Sequence, residues 1–173
     1  MQLLATLKAS DVEDNPPDID YDSFGLRTAA RAIVLDDSKV ALIHVSKFDY
    51  YMLPGGGVNK RNIEAGLRRE ILEELGCSID ITGEVGTIAV YNDRWKWKQT
   101  DYCYTAKKLE GARELARTTF EIEEGHVVVW ADNLMSAVRL VENAHPVNRD
   151  GKLVRARDLL FLQTIKSSSI DVS

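Results

Sequence analysis

The sequence predicts an α/β sandwich with a mixed central sheet. Three observations carry the prediction: alternating or continuously apolar runs recur along the chain, three helix-period stretches lie among and after them, and glycine or proline ends several segments. Residues 28–37 (TAARAIVLDD) and 39–46 (KVALIHVS) are β-branched runs around an Asp-Asp-Ser turn, as in a hairpin. Residues 50–57 (YYMLPGGG) read as a short strand ended by Pro54 and the glycines. After an acidic helix, residues 78–92 and 99–109 alternate at strand period, and residues 126–131 (HVVVWA) suit a buried strand. Asp132 is expected to cap a helix that begins near Asn133 and continues through LMSAVRLVENA; residues 154–166 (VRARDLLFLQTIK) form a second amphipathic helix. The Asp- and Pro-rich stretch 11–22 places a flexible lead-in at residues 1–23. One folded domain follows over residues 24–166, then a frayed tail at 167–173.

Composition narrows the function. With 173 residues and 45% hydrophobic content, the chain can bury a sizeable core. A formal net charge of −5 argues against nucleic-acid partners, which need a concentrated basic surface. A small anionic substrate remains compatible, because a bound cation can reverse the sign of a site. Cys77 and Cys103 are too few for the framework of a small secreted domain, so the cytoplasm is the expected compartment, with one disulfide left open. There is no charged-then-apolar leader and no apolar run near the ~20 residues that span a bilayer, so no membrane partner is expected.

The chemistry concentrates in residues 53–77, LPGGGVNKRNIEAGLRREILEELGC. On a helix starting near Ile63, at about 100° per residue, Glu70, Glu73 and Glu74 share one sector while Leu67, Ile71 and Leu75 fill the next. Gly76 stands where a left-handed residue would stop that helix, and the glycines at 55–57 let a backbone pass close to whatever the carboxylates hold. Helix geometry alone leaves two readings open. The glutamates are either a solvated face beside Arg68 and Arg69, or a site for Mg²⁺, which takes oxygen ligands and bridges carboxylates to phosphates.

The stretch resembles the signature of the Nudix hydrolase superfamily, the MutT-like enzymes. Arg69, Glu70, Ile71, Glu73, Glu74, Gly76 and Cys77 stand at the required spacing behind LPGGG, and the order of strands and helices agrees. The resemblance implies the Nudix-type α/β/α sandwich and hydrolysis of a nucleoside diphosphate linked to another group, by water attack on phosphorus with Mg²⁺ or Mn²⁺. It implies that Glu70 and Glu74 ligate metal, that Glu73 is a further ligand or helps the base, and that Arg69 orients the carboxylates by an ion pair. Gly56 and Gly57 would lie beside the phosphates. A later loop offers Glu121, Glu123 and Glu124 as a base, although each also reads as part of a charged surface turn. The signature's early glutamate is Arg61 here, so Arg69 needs another partner; Glu64 is better placed to pair with Arg68.

Other residues point less sharply. Trp95 and Trp97 would project from one side of a strand, to stack on a base or to be buried where two subunits meet in a homodimer. His44, His126 and His145 lack ligand spacing and read as structural or surface residues, and Cys103 reads as a buried thiol. Family members acting on ADP-ribose often carry a proline downstream of the signature; this chain has none between Pro54 and Pro146. Tyr91, Tyr102 and Tyr104 are too many to single out a dinucleoside-polyphosphate enzyme. A nucleoside triphosphate or modified nucleotide is therefore the expected substrate. The alternatives are a nucleotide sugar, ADP-ribose, a dinucleoside polyphosphate, or a nucleotide-binding module without turnover.

Overall fold

A computed structural model describes residues 1–109, 111 and 113–170. The strands are β1 (Leu3–Leu7), β2 (Gly25–Asp36), β3 (Lys39–Val45), β4 (Tyr50–Met52), β5 (Gly55–Gly57), β6 (Ile79–Asn92), β7 (Trp97–Lys108) and β8 (His126–Ala131). The helices are α1 (Ile63–Leu75), α2 (Thr119–Glu123), α3 (Leu134–Glu142) and α4 (Arg149–Ile170). The strands form one mixed sheet in the order β1-β6-β7-β2-β3-β4, with β5 also on β2 and β8 also on β3.

β2 organises the molecule. Its residues are buried from Ala29 to Val34 and alternate between two layers. Ala30, Ala32 and Val34 meet Leu67 and Ile71 of α1, while Ile33 joins Leu42, Ile88, Phe161 and Leu162 on the α4 side. Burial on both faces explains why the strand reads as a nearly continuous apolar run. β2 runs parallel to β7 from Gly25↔Trp97 to Leu35↔Lys107. Its other edge is divided: Ala29–Arg31 pair with β5, and only Leu35 and Asp36 pair with β3. The expected hairpin is therefore present but short, turning at Asp37 with φ +53°, a conformation Asp tolerates.

Several boundaries differ from the sequence reading. Residues 50–57 make two strands, because β4 pairs with β3 and, beyond Leu53 and Pro54, β5 pairs with β2. The lead-in is part of the fold: β1 adds a parallel edge to β6, and Leu7 and Ala9 are buried. A short apolar run before an Asp-Pro stretch had too little period to announce a strand. Asn133, not Asp132, caps α3, its side chain accepting from the Ser136 amide at 2.9 Å. α4 begins at Arg149, earlier than expected, because its charged first turn is tied down by Arg149 ion pairs to Glu13 and Asp93. It continues to Ile170, so the expected tail starts inside a helix, and residues 171–173 lie outside the described residues. Cys77 and Cys103 are buried and unbridged. Among the described residues, no helix is long and apolar enough to cross a membrane.

Candidate active site

The glycine strand β5 and the carboxylate face of α1 meet because three polar anchors fix the chain where it enters β5. The Leu53 amide donates to Asp158 at 2.8 Å, the Gly55 carbonyl accepts from Arg31, and the Gly55 amide donates to Glu74 at 2.7 Å. Gly55 has φ +130°, and a Cβ there would collide with the Ala30 carbonyl. A Cβ on Gly56 would overlap the Glu70 carboxylate, so the strand can lie against α1 only as bare backbone. Gly76 ends α1 in the left-handed conformation at φ +68°, as its position predicts.

A cleft of about 500 Å³ opens beside this junction. Glu70, Glu74, Gly56 and Gly57 line it; Glu73 and Arg69 do not. Arg69 holds both neighbouring carboxylates, pairing with Glu70 and, at 3.0 Å, with Glu73 on the outer face of the helix. That clamp supplies the partner that Arg61 cannot. Arg61 itself is exposed, with its amide bonded to Asn59, and Glu64 pairs with Arg68 at 3.8 Å.

Burial tunes the two inward carboxylates. It pushes Glu74 up to about 8, against the pull of the Gly55 amide and Arg31, and the charges of Glu70 and Glu121 push the same way. Burial also raises Glu70, while Arg69 opposes it. Glu74 therefore enters the neutral range holding a proton.

Two of the three later glutamates reach the cleft. Glu121 lines it while capping α2, accepting from the Thr118 amide at 2.6 Å. Glu124 is buried between Arg94 at 3.4 Å and His126 at 3.6 Å. Glu123 is exposed and off the cleft. His126 is thus part of the cleft wall rather than an isolated structural residue. Burial lowers its pKa, and its Nε2 is buried without a hydrogen bond. His44 stacks on Tyr51 away from the cleft, and His145 is exposed.

The floor holds charges that sequence reading did not place. Arg31 and Arg157 both donate to Asp101, at 3.1 and 3.2 Å, and Arg157 also grips Asp158 at 2.7 Å. Burial alone would raise Asp101, yet Arg157 and Arg31 hold it below the ordinary carboxylate range. The available signal was a lone charge inside an apolar pattern, as in AARAIV, TDYCY and RARDLL. Trp95 also departs from expectation. It sits in the turn between β6 and β7, not on a strand, where Lys96 has φ +54°. Its ring still stacks against Trp97 at 6.2 Å and meets Phe120 edge-on at 6.0 Å.

Among the described residues, no three acidic, histidine or cysteine side chains converge as a ready-made metal cage. Mg²⁺ does not require one, since it keeps several waters and takes one or two carboxylates plus substrate phosphates. The oxygen donors of Glu70 and Glu74, with Glu121 nearby, fit that chemistry.

Acidic groups on a helix are thus set against bare glycine backbone in a cleft floored by arginines. The NUDIX domain model matches residues 25–150, and the chain belongs to this family of pyrophosphohydrolases. Solved structures agree on the fold. A NUDIX hydrolase from Nitrosomonas europaea gives a TM-score of 0.56 at 15% identity, covering 85% of this chain and 90% of that one. A UDP-X diphosphatase gives 0.55 at 16%, covering 92% and 77%. A MutT NUDIX hydrolase from Burkholderia pseudomallei gives 0.52 at 18%, covering 76% and 97%. The search of curated proteins finds no match.

Proposed function

We propose that the cleft hydrolyses a phosphoanhydride bond of a nucleotide, with a nucleoside triphosphate or modified nucleotide as substrate. The observation that carries this reading is the placement of Glu70 and Glu74 against Gly55–Gly57 in the cleft that Trp95 and Trp97 also line. The glycine backbone gives a phosphate chain room to approach, and the aromatic wall of Trp95 and Trp97 supports apolar contact with a planar base. Glu70 and Glu74 would hold Mg²⁺ or Mn²⁺, which would supply charge neutralisation and an activated water. Arg69 keeps Glu70 aimed inward by its ion pair and restrains Glu73 outside the cleft. To serve as a ligand Glu74 would have to lose its proton to solvent, because a cation is held by the ionised carboxylate. Glu121 would accept the proton from water, since it lines the cleft from α2 while Glu124 is held by Arg94 and His126.

The test is hydrolysis by the purified protein, read as the nucleotide, pyrophosphate and phosphomonoester products, across nucleoside triphosphates, modified nucleotides, nucleotide sugars, dinucleotides and ADP-ribose, with Mg²⁺ or with chelator. Turnover of a triphosphate or modified nucleotide, abolished by chelator, is expected, and Glu121→Gln should lower it far more than Glu123→Gln. Turnover that survives chelation would overturn the reading. Silence across the whole panel would leave a binding module in its place.

A further inference from the structure

The acid proposed to take the proton sits on an element with no core of its own. α2 has five residues and none of them is buried; Phe120 and Ile122 are exposed. So short a helix is unstable alone in water, and the capping box of Thr118 and Glu121 fixes only its first turn. Backbone bonds tie the chain on either side. The Ala116 amide donates to the Glu73 carbonyl at 2.9 Å, and the Lys47 and Ser46 amides donate to the Glu124 and Gly125 carbonyls at 3.2 Å. Between those ties the orientation of α2 depends on contacts from the side.

Arg94 supplies them. Its guanidinium, carried by the turn between β6 and β7, lies between Glu124 at 3.4 Å and Asp150 at 3.6 Å. Glu124 ends α2, and its amide closes the last turn onto the Phe120 carbonyl at 2.9 Å. The same guanidinium lies over the Phe120 ring at 5.9 Å and the Trp95 ring at 4.7 Å. Arg94 therefore grips α2 at two points, an aromatic ring and a carboxylate that is only 6% exposed and has His126 on its other oxygen. The turn is in turn fixed to the first turn of α4, because Asn92 donates to Asp150 and Asp93 pairs with Arg149. The result is a continuous brace from α4 through the turn to α2.

We propose that Arg94 is a positioning residue for Glu121: it sets where α2 lies, and so where that carboxylate faces the proposed ligands Glu70 and Glu74. This rests on the hydrolase reading and adds to it a residue that works from behind the cleft wall. Phe120, Glu121 and Trp95 line the cleft, and Arg94 does not. Lysine is an incomplete substitute, because its compact ammonium lacks the planar face that lies against the rings and the fork that reaches two carboxylates.

The experiment places Arg94→Ala and Arg94→Lys in wild type and in Glu121→Gln. Amide exchange is read first, in chelator and without nucleotide. In Arg94→Ala the Ile122 and Glu124 amides should exchange about tenfold faster or more while those of α1 keep their rates, and Arg94→Lys should fall between. Kinetics in Mg²⁺ then use the nucleotide hydrolysed fastest in the panel above. Arg94→Ala should lower kcat about 100-fold with KM within about fivefold, the scale of loss when a reacting group is misplaced by about 1 Å. In Glu121→Gln the same change should cost less than about threefold more, because nothing remains for Arg94 to place. Losses that multiply in the double variant would overturn the proposal, as would a raised KM with unchanged kcat. So would α2 exchange within about twofold of wild type, or equal acceleration in α1, which would mark a general loss of stability. If Arg94→Ala fails to fold, Arg94→Lys decides on the same criteria. Exchange involves no turnover, so a protein silent across the panel whose α2 loosens without Arg94 would sink the hydrolase reading and leave the brace standing. Hydrolysis with multiplying losses would do the reverse.

Discussion

Glu74 has two opposed duties. It is buried, accepts from the Gly55 amide, and is raised to about 8 by that burial, yet a cation ligand must be ionised. The sign of its effect on stability follows directly. Between the ordinary value of 4.5 and about 8, the unfolded chain has lost this proton and the folded chain retains it, so stability falls as pH rises through that window. In chelator, Glu74→Gln should therefore gain on wild type from pH 5 to pH 8, by the order of a few kcal/mol, while turnover in Mg²⁺ drops by orders of magnitude. Denaturant melts at both pH values are the measurement. A gap between the two proteins that does not change with pH would show that Glu74 is not buried as a neutral acid.

At the scale of elements, the site depends on α4 although the signature motif lies wholly on β5 and α1. Asp158 accepts from the Leu53 amide and from Arg157, and so ties the entry of the glycine strand to the helix on the opposite face of the sheet. Arg157 is fully buried, and Asp158 and Asp101 raise its pKa despite the opposing effect of burial. Asp158→Ala would leave that guanidinium with Asp101 only and should destabilise the protein by about 3–5 kcal/mol. It should also speed amide exchange at Gly55. A loss below about 1 kcal/mol with unchanged exchange at Gly55 would mean that the glycine strand holds its place without α4. α1 was legible in the sequence because its apolar period, acidic sector and Gly76 stop agree with one another. The start of α4 was not, because the residues of its first turn are polar and their partners Glu13 and Asp93 are distant in the chain.

The whole molecule is held at one edge by the segment that composition marked as loose. β1 pairs with β6 through Ala5↔Ile88 and Leu7↔Val90, Leu7 is buried, and Glu13 grips Arg149 and Lys152 of α4. Removing residues 1–8 should lower stability by about 2 kcal/mol or more, chiefly through loss of the buried leucine. Amides of Thr87 to Val90 should exchange faster, and turnover should persist at temperatures below the new melting point, because β1 does not line the cleft. An unchanged melt would show that the strand adds nothing to the folded state.

Local agreement of signals decided what the sequence could determine alone: the sandwich class, the strand and helix types, and the acid-bearing helix behind three glycines, since each rests on period, capping or spacing within a few residues. Helix geometry alone could not rank Glu70, Glu73 and Glu74, because neighbours in one helical sector are separated only by what lies opposite them. The Gly55 amide took Glu74 inward, Gly56 made room for Glu70, and Arg69 kept Glu73 outside. The same limit hid Arg31, Asp101 and Arg157. A charge within an apolar run reads as an interruption until the sheet brings its partner alongside. That pairing was decided by tertiary structure, because Arg31 and Asp101 lie on neighbouring strands joined by no local pattern.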